Sequence, residues 1–286
     1  MDIESPVHQS PSPVPQGAPH LPSDVSSDLS QSDDELSENR TTPADIAGNF
    51  SLVHRAWILN RVRFHAQKVC EVFSPPRVTL AAHRAGHTAD FAFDITYNGW
   101  DALDATMRIE LRQIIREMRP TLLVLSPPCT MFSPLTRMWN RDKWTPEEYA
   151  MRREAAECMF DYALDLAADM ELVGRGFVLE HPAPASSWER PKAQALLATP
   201  NIRATNFDQC ATGLLSPSGA PMKKRTKLLS NVGPIHTLFA QRQCSCVTQH
   251  RTIQGSEWGV QLSTWAQRYP DPMCNLIVQA AAQWAD

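Results

Sequence analysis

No run of apolar residues in this 286-residue chain approaches the eighteen or so that a membrane-spanning helix needs. The N-terminus also lacks a charged stretch followed by an apolar one, so no secretory leader is expected. The seven cysteines, at 70, 129, 158, 210, 244, 246 and 274, are odd in number and scattered, which argues against a disulfide framework. A reducing compartment, nucleus or cytoplasm, is the expectation, with no membrane partner. Internal repeats are missing. Residues 1–46 are nearly without aromatics and rich in Ser, Pro and acid, so they bury too little apolar surface to offset the entropy of ordering. They are expected to be a disordered acidic tail.

Charge divides along the same boundary. The tail holds nine acids (Asp2, Glu4, Asp24, Asp28, Asp33, Asp34, Glu35, Glu38 and Asp45) and one base, Arg40. That leaves 26 bases and 22 acids in residues 47–286, a mildly basic body that permits a polyanionic partner without requiring one. A tail of this charge is a conceivable tethered competitor for a basic face.

From residue 51, "SLVHRAWILNRVRFHAQ" has amphipathic helical spacing. "VCEVFS" (69–74) then ends at Pro75 and Pro76 as a buried strand would, and a short helical stretch follows to His83 and Gly86. "DFAFDI" (90–95) is a second strand finishing near Asp94, and "ALDATMRIELRQIIREM" (102–118) a helix. The third strand is "TLLVLS" (121–126). The long segment from Thr145 starts with a Thr N-cap, a Pro at the first helical position and early Glu residues, and stops at Gly174 and Gly176. "FVLEHP" (177–182) is a fourth strand; "IRATNFDQC" and "RTKLLSN" read as further strands and "MCNLIVQAAAQW" as a closing helix. Strands alternating with helices on short linkers indicate an α/β doubly wound domain, which binds ligands at the carboxyl ends of its strands. Glu71, Asp94, Cys129 and Glu180 lie at four such ends and should converge.

Cys129 is the reactive group among them. In "LVLSPPCTMFSPL" (123–135) two prolines hold it in a rigid turn as the chain leaves its strand. Such a thiol is a nucleophile if its surroundings stabilise the thiolate, and otherwise an ordinary core cysteine. "PPCTMFS" (127–133) resembles the catalytic motif of the cytosine-5 DNA methyltransferases, Pro-Cys-Gln followed by Phe-Ser, in its divergent phage or mobile-element members. The resemblance implies a Rossmann-like S-adenosylmethionine-dependent methyltransferase fold, with a mostly parallel sheet and helices on both faces. It also implies a cysteine that attacks C6 of a flipped-out cytosine, so that C5 takes a methyl group. Enzymes that methylate an exocyclic amine carry an aromatic residue after Pro-Pro, so a thiol there argues for carbon methylation.

The same resemblance extends from about residue 69 to 281. "FVLEHP" matches the Glu-Asn-Val motif, with Glu180 against the cytosine edge and His181 in place of asparagine. "EVFSPPR" (71–77) takes the place of the cofactor turn Asp-Leu-Phe-x-Gly-x-Gly, making Glu71, Phe73 and, after the third strand, Pro127 cofactor contacts; the glycines are missing. Asp94 stands where an acid holds the ribose hydroxyls, and Asp101 in "NGWDA" would contact adenine. Taken alone, Glu180 and Asp94 also suit ordinary capping or salt-bridged acids. "MKKRTKLLSN" (222–231) has the place of the Gln-x-Arg-x-Arg strand, with Arg225 beside the cytosine or the thiolate and Lys223, Lys224 and Lys227 on phosphates. A solvated basic edge or an import signal reads equally well there. "RYPDPMCNLIVQAA" (268–281) resembles the closing motif.

Residues 232–267 leave room for only a very small target-recognition insert, so loose selectivity, a single-stranded or RNA target, or a partner protein that supplies specificity is expected, with DNA ahead of RNA as the nucleic-acid partner. Inside it, "QCSCVTQH" presents Cys244, Cys246 and His250, with Cys210 upstream; these are weak zinc candidates, and unligated thiols are the default. Most of the eight tryptophans suit core positions, while Trp139 and Trp144 follow the cysteine loop and are candidates to stack on bases. The rival reading is a non-catalytic nucleic-acid or protein interaction module on the same scaffold.

Overall fold

The computed structural model describes residues 68–134, 136 and 143–285. The acidic tail, the helical pattern starting at residue 51, Trp57 and Trp139 lie outside them. Six strands form one sheet: β1 (Lys68–Val72), β2 (Thr88–Phe93), β3 (Leu122–Leu125), β4 (Gly176–Pro182), β5 (Arg203–Asp208) and β6 (Arg225–Ser230), in the order β2-β1-β3-β4-β6-β5. β1 to β4 pair in parallel, while β6 runs antiparallel to both β4 and β5. The expected α/β class with a mostly parallel sheet is what forms.

Side chains along a strand alternate between faces, and here both faces are covered. Val69, Val124, Val178 and Leu228 pack under α1 (Val78–Arg84), α5 (Gly233–Ala240) and α6 (Asp271–Ala285). Cys70, Val72, Leu123, Leu125, Phe177 and Leu179 pack under α2 (Ala105–Met118), α3 (Pro146–Leu172) and the neighbourhood of α4 (Pro191–Leu197). Glu71 and Glu180 therefore belong to the first face and His181 to the second.

Local signals set the long helix. Thr145 and Glu148 close a reciprocal capping box with Pro146 at the first helical position, so two otherwise orphaned amides are satisfied. At the start of β4, a Cβ on Gly176 would lie 2.8 Å from Val232 Cγ2 and 3.0 Å from the Thr121 carbonyl, so only glycine allows that approach.

A small satellite cluster of Leu214, Met222, Leu262 and Ala266 holds the turn around Ser216–Gly219 to the segment after Ile253. It includes the two-residue hairpin of β7 (Ser256–Glu257) and β8 (Val260–Gln261). Within the 232–267 range where a recognition insert is expected, α5 packs on the sheet through Ile235 and Phe239. Among the described residues no helix is long and apolar enough to cross a membrane.

Candidate active site at the strand ends

The chain leaves β1 toward β2 on one side and later enters β3 on the other. The crevice beyond the ends of β1 and β3 is thus the topological switch point where ligands bind in open α/β sheets. At β1, Glu71 is buried, and its Oε2 accepts from the Arg77 amide, the Thr79 amide and Thr79 Oγ1, each at 2.8 Å, while Ser74 Oγ donates to Oε1 at 3.3 Å. Burial raises its pKa and these donors pull the other way. The carboxylate expected to contact a cofactor therefore holds its own Ser74–Thr79 turn closed. It takes, against those amides, the place that a bound anion would take. Phe73 adopts φ 65°, a strained conformation for a bulky residue, and sets its ring edge-on to Trp100 at 5.3 Å.

Asp94 ends β2 and caps the following turn through Thr96, with its main-chain amide held by Asn98 Oδ1 at 3.1 Å. Asp101 Oδ1 accepts from the Leu103 amide at 2.8 Å and shapes the approach to α2. Both acids thus have part of their hydrogen-bonding capacity spent locally.

Across the switch point, Pro127 is buried, Pro128 exposed and Cys129 half-buried at the head of a 3-10 turn, Thr130–Phe132. On the neighbouring strand, Glu180 is buried and shares its carboxylate among three partners. Tyr269 donates to Oε2 at 3.1 Å, Gln209 Nε2 donates to Oε1 at 3.4 Å, and Lys224 Nζ lies 3.5 Å from Oε1. The Tyr269 hydroxyl is also 2.7 Å from Ser126 Oγ, so one hydrogen-bonded chain joins the end of β3 to that of β4. Burial and then the Glu180 charge hold the Tyr269 hydroxyl far above its ordinary pKa, so it stays a donor. The Cys129 thiol is likewise raised: burial is the main cause, Glu180 adds to it, and Lys224 opposes it. Lys224 is outweighed, so these surroundings by themselves favour the thiol over the thiolate.

His181, in the asparagine position of the motif, is fully buried among Phe132, Phe160 and Trp188, with Nδ1 2.7 Å from Ser187 Oγ. Its Nε2 lies near the Pro128 backbone without completing a hydrogen bond, and burial pulls its pKa down to about 3. It is a neutral prop beneath the cysteine loop. Arg153 of α3 adds a second: Nη1 donates to the Met131 carbonyl at 2.8 Å, and the guanidinium lies 4.4 Å over the Phe132 ring. Nothing in the motif spacing pointed to Arg153.

The basic strand needs reassignment. The period of two puts Lys224 on the face of Glu180 and turns Arg225 to the other, where it meets Asp208 Oδ2 at 3.0 Å and Gln243 Oε1 at 2.6 Å. Arg225 is therefore paired elsewhere, and Lys224 is the cation beside Glu180 and the thiol. Lys227 rests over the Trp188 ring at 4.8 Å; Lys223 alone of the four is exposed without an ion pair or hydrogen bond among the described residues. Trp144 packs toward Tyr149 with Arg152 over its ring, as a partly buried anchor. Tyr269, inside the quoted closing motif, was the site residue whose "Tyr-Pro" signal was visible but unassigned. No family model and no curated protein matches this chain.

Proposed function

We propose that this chain is an S-adenosylmethionine-dependent cytosine-5 methyltransferase acting on nucleic acid, DNA ahead of RNA, through a transient bond between Cys129 Sγ and C6 of the base. The observation that carries the reading is a thiol and a buried carboxylate at the ends of adjacent parallel strands, with one lysine acting on both. The reversed β6 supports the same fold, because it brings Lys224 back to the carboxyl ends of β3 and β4.

The end of β1 suits a cofactor with positive groups better than one with phosphates. The amides that would receive a phosphate at the start of α1 already serve Glu71, and the nearby side chains include the carboxylates of Glu71 and Asp94. Phe73 and Asp94 would hold the adenosine part. When bound, the cofactor supplies the methyl group.

The chain's own residues supply the rest. Cys129 gives up its thiol proton and forms the C6–S bond as the C5=C6 π bond opens, with Lys224 offsetting the thiolate charge. Once C5 carries the methyl group it loses its own proton to solvent, the double bond re-forms and the thiolate leaves C6. Glu180, steadied by Tyr269, holds the base edge. Once Glu180 shares its charge with a bound base, its opposition to thiolate formation weakens, so the nucleophile is activated only with substrate in place.

Calorimetric titration with S-adenosylmethionine and S-adenosylhomocysteine tests the first half: binding is expected, and is expected to weaken in Asp94→Ala. Trapping on 5-fluorocytosine nucleic acid tests the second: a denaturant-stable adduct forms with wild type and not with Cys129→Ser. Methylation by Cys129→Ser at the wild-type rate would overturn the mechanism. The rival reading, a catalytically inactive nucleic-acid or protein interaction module, draws on the stiff Pro75-Pro76 turn and the raised thiol. Nucleic-acid binding with no cofactor binding would select it. The small recognition lobe fits loose selectivity or a partner that supplies specificity.

A further inference from the structure

Beyond β5, two segments distant in sequence bring four metal-ligating side chains together. Cys210 is buried in the turn Gln209–Thr212, Cys244 and Cys246 follow α5, and His250 precedes the bridge between Met222 and Arg251. Their three sulfurs and one imidazole nitrogen all lie within 4.8 Å of one another, with Cys244 Sγ 3.2 Å from His250 Nε2. We propose that these four residues form a structural zinc site, with Cys210, Cys244 and Cys246 bound as thiolates and His250 as neutral imidazole. This inference does not rest on the methyltransferase reading.

Three soft sulfurs and an imidazole select zinc over calcium or magnesium, which take oxygen. Zinc–sulfur bonds of about 2.3 Å and a zinc–nitrogen bond of about 2.0 Å put tetrahedral ligand atoms roughly 3.5–3.8 Å apart, so the cluster has to contract by about 1 Å. All four positions would be protein-filled, leaving none for substrate, which makes the site structural.

Burial in the segment follows the ligands. Between Gln241 and His250 there is no strand, no helix and no buried residue, and the three half-buried positions are Cys244, Cys246 and His250. Val247, an apolar residue, is fully exposed. Such a stretch has no core of its own, and a metal supplies what packing does not. The backbone is ready to receive it: the Asp208 amide donates to the Arg242 carbonyl at 2.9 Å, and the Cys244 amide to Asp208 Oδ2 at 3.0 Å. Binding of Zn²⁺ releases the three thiol protons to solvent and leaves a site of net charge −1, beside the basic side chain of Lys223. Through Gln243 the clasp would also fix Arg225, and with it the start of β6.

The test is metal analysis of the full chain purified from zinc-supplemented medium without chelator. About one zinc per chain is expected. Cys246→Ser and His250→Ala should each fall below about a tenth of that, while Cys158→Ser, on α3, keeps it. Cobalt loading of the wild-type chain should give the intense visible bands of tetrahedral thiolate coordination, a readout independent of how the variants fold. Folded wild type with under about a tenth of a zinc and no cobalt bands would overturn the proposal. A Cys244–Cys246 disulfide in freshly purified protein, or equal zinc loss in Cys158→Ser, would do so as well.

Discussion

On the methyltransferase reading, Cys129 has to act as a nucleophile in surroundings that hold its proton on, and the signs of the neighbouring charges make this testable. Burial and Glu180 raise the thiol pKa and Lys224 lowers it. Alkylation of Cys129 in the ligand-free chain, followed by peptide mass spectrometry, should accelerate only above the ordinary thiol range near about 8.5. Glu180→Gln should move that profile to lower pH and Lys224→Met to higher pH; shifts in the same direction for both variants would contradict the arrangement. His181 makes a second residue-scale prediction. Its folded pKa, about 3, lies below the unfolded value near about 6.5, so between the two the unfolded chain binds the extra proton. The stability it permits is complete above about pH 6.5 and is lost as pH falls, at up to about 1.4 kcal/mol per unit. Urea unfolding across that window should be measurably flatter for His181→Gln than for wild type. Equal slopes would mean that the ring is not held neutral.

At the scale of elements, the cysteine loop is clamped between β4 and α3, and Arg153 is the clamp whose removal leaves most unsatisfied. Arg153→Ala takes a charged donor from the Met131 carbonyl and a guanidinium from the Phe132 ring, so a loss of about 1–3 kcal/mol is expected in denaturant unfolding. Arg153→Lys should recover part of it. The elements themselves were largely legible: β1 to β4, the long capped helix and the closing helix each carry a run, a cap or a stop within their own residues. What could not be read was direction and parity. "RTKLLSN" announces a strand, but nothing in it says that β6 runs against its neighbours, or which alternate set faces Glu180. A shift of one residue separates Lys224 from Arg225 in role. Glu71, Asp94, Cys129 and Glu180 could be placed at or just past the carboxyl ends of their strands because those ends are marked in the sequence by runs and prolines. Arg153 and Tyr269 were missed as site residues because a helix face and a post-strand hydroxyl have their partners fixed only by tertiary packing.

For the whole molecule, the question is which surface a nucleic acid would meet. Residues 47–286 carry only a slight excess of bases, 26 against 22 acids, so affinity cannot rest on overall charge and must come from a few placed groups. Of the basic strand, Lys224 is drawn to Glu180, Arg225 to Asp208 and Lys227 to Trp188, which leaves Lys223. At the hairpin tip of the small lobe, Trp258 takes φ 50° and Gly259 φ 78°, and the indole is 76% exposed, an unusual position for so large an apolar ring. On the nucleic-acid reading these two residues divide the work by physics. Lys223→Ala should weaken binding to a labelled oligonucleotide and reduce the slope of log affinity against log salt by about 1, since one fewer counterion is released. Arg225→Ala and Lys227→Ala should leave the slope near wild type, because those charges are already engaged. Trp258→Ala should cost about 1–3 kcal/mol of affinity with the slope unchanged, as the loss of a stacking platform would. Fluorescence anisotropy over a range of salt separates the cases. A slope unmoved by Lys223→Ala, with affinity unmoved by Trp258→Ala, would place the nucleic acid on another face and leave the small lobe to a protein partner.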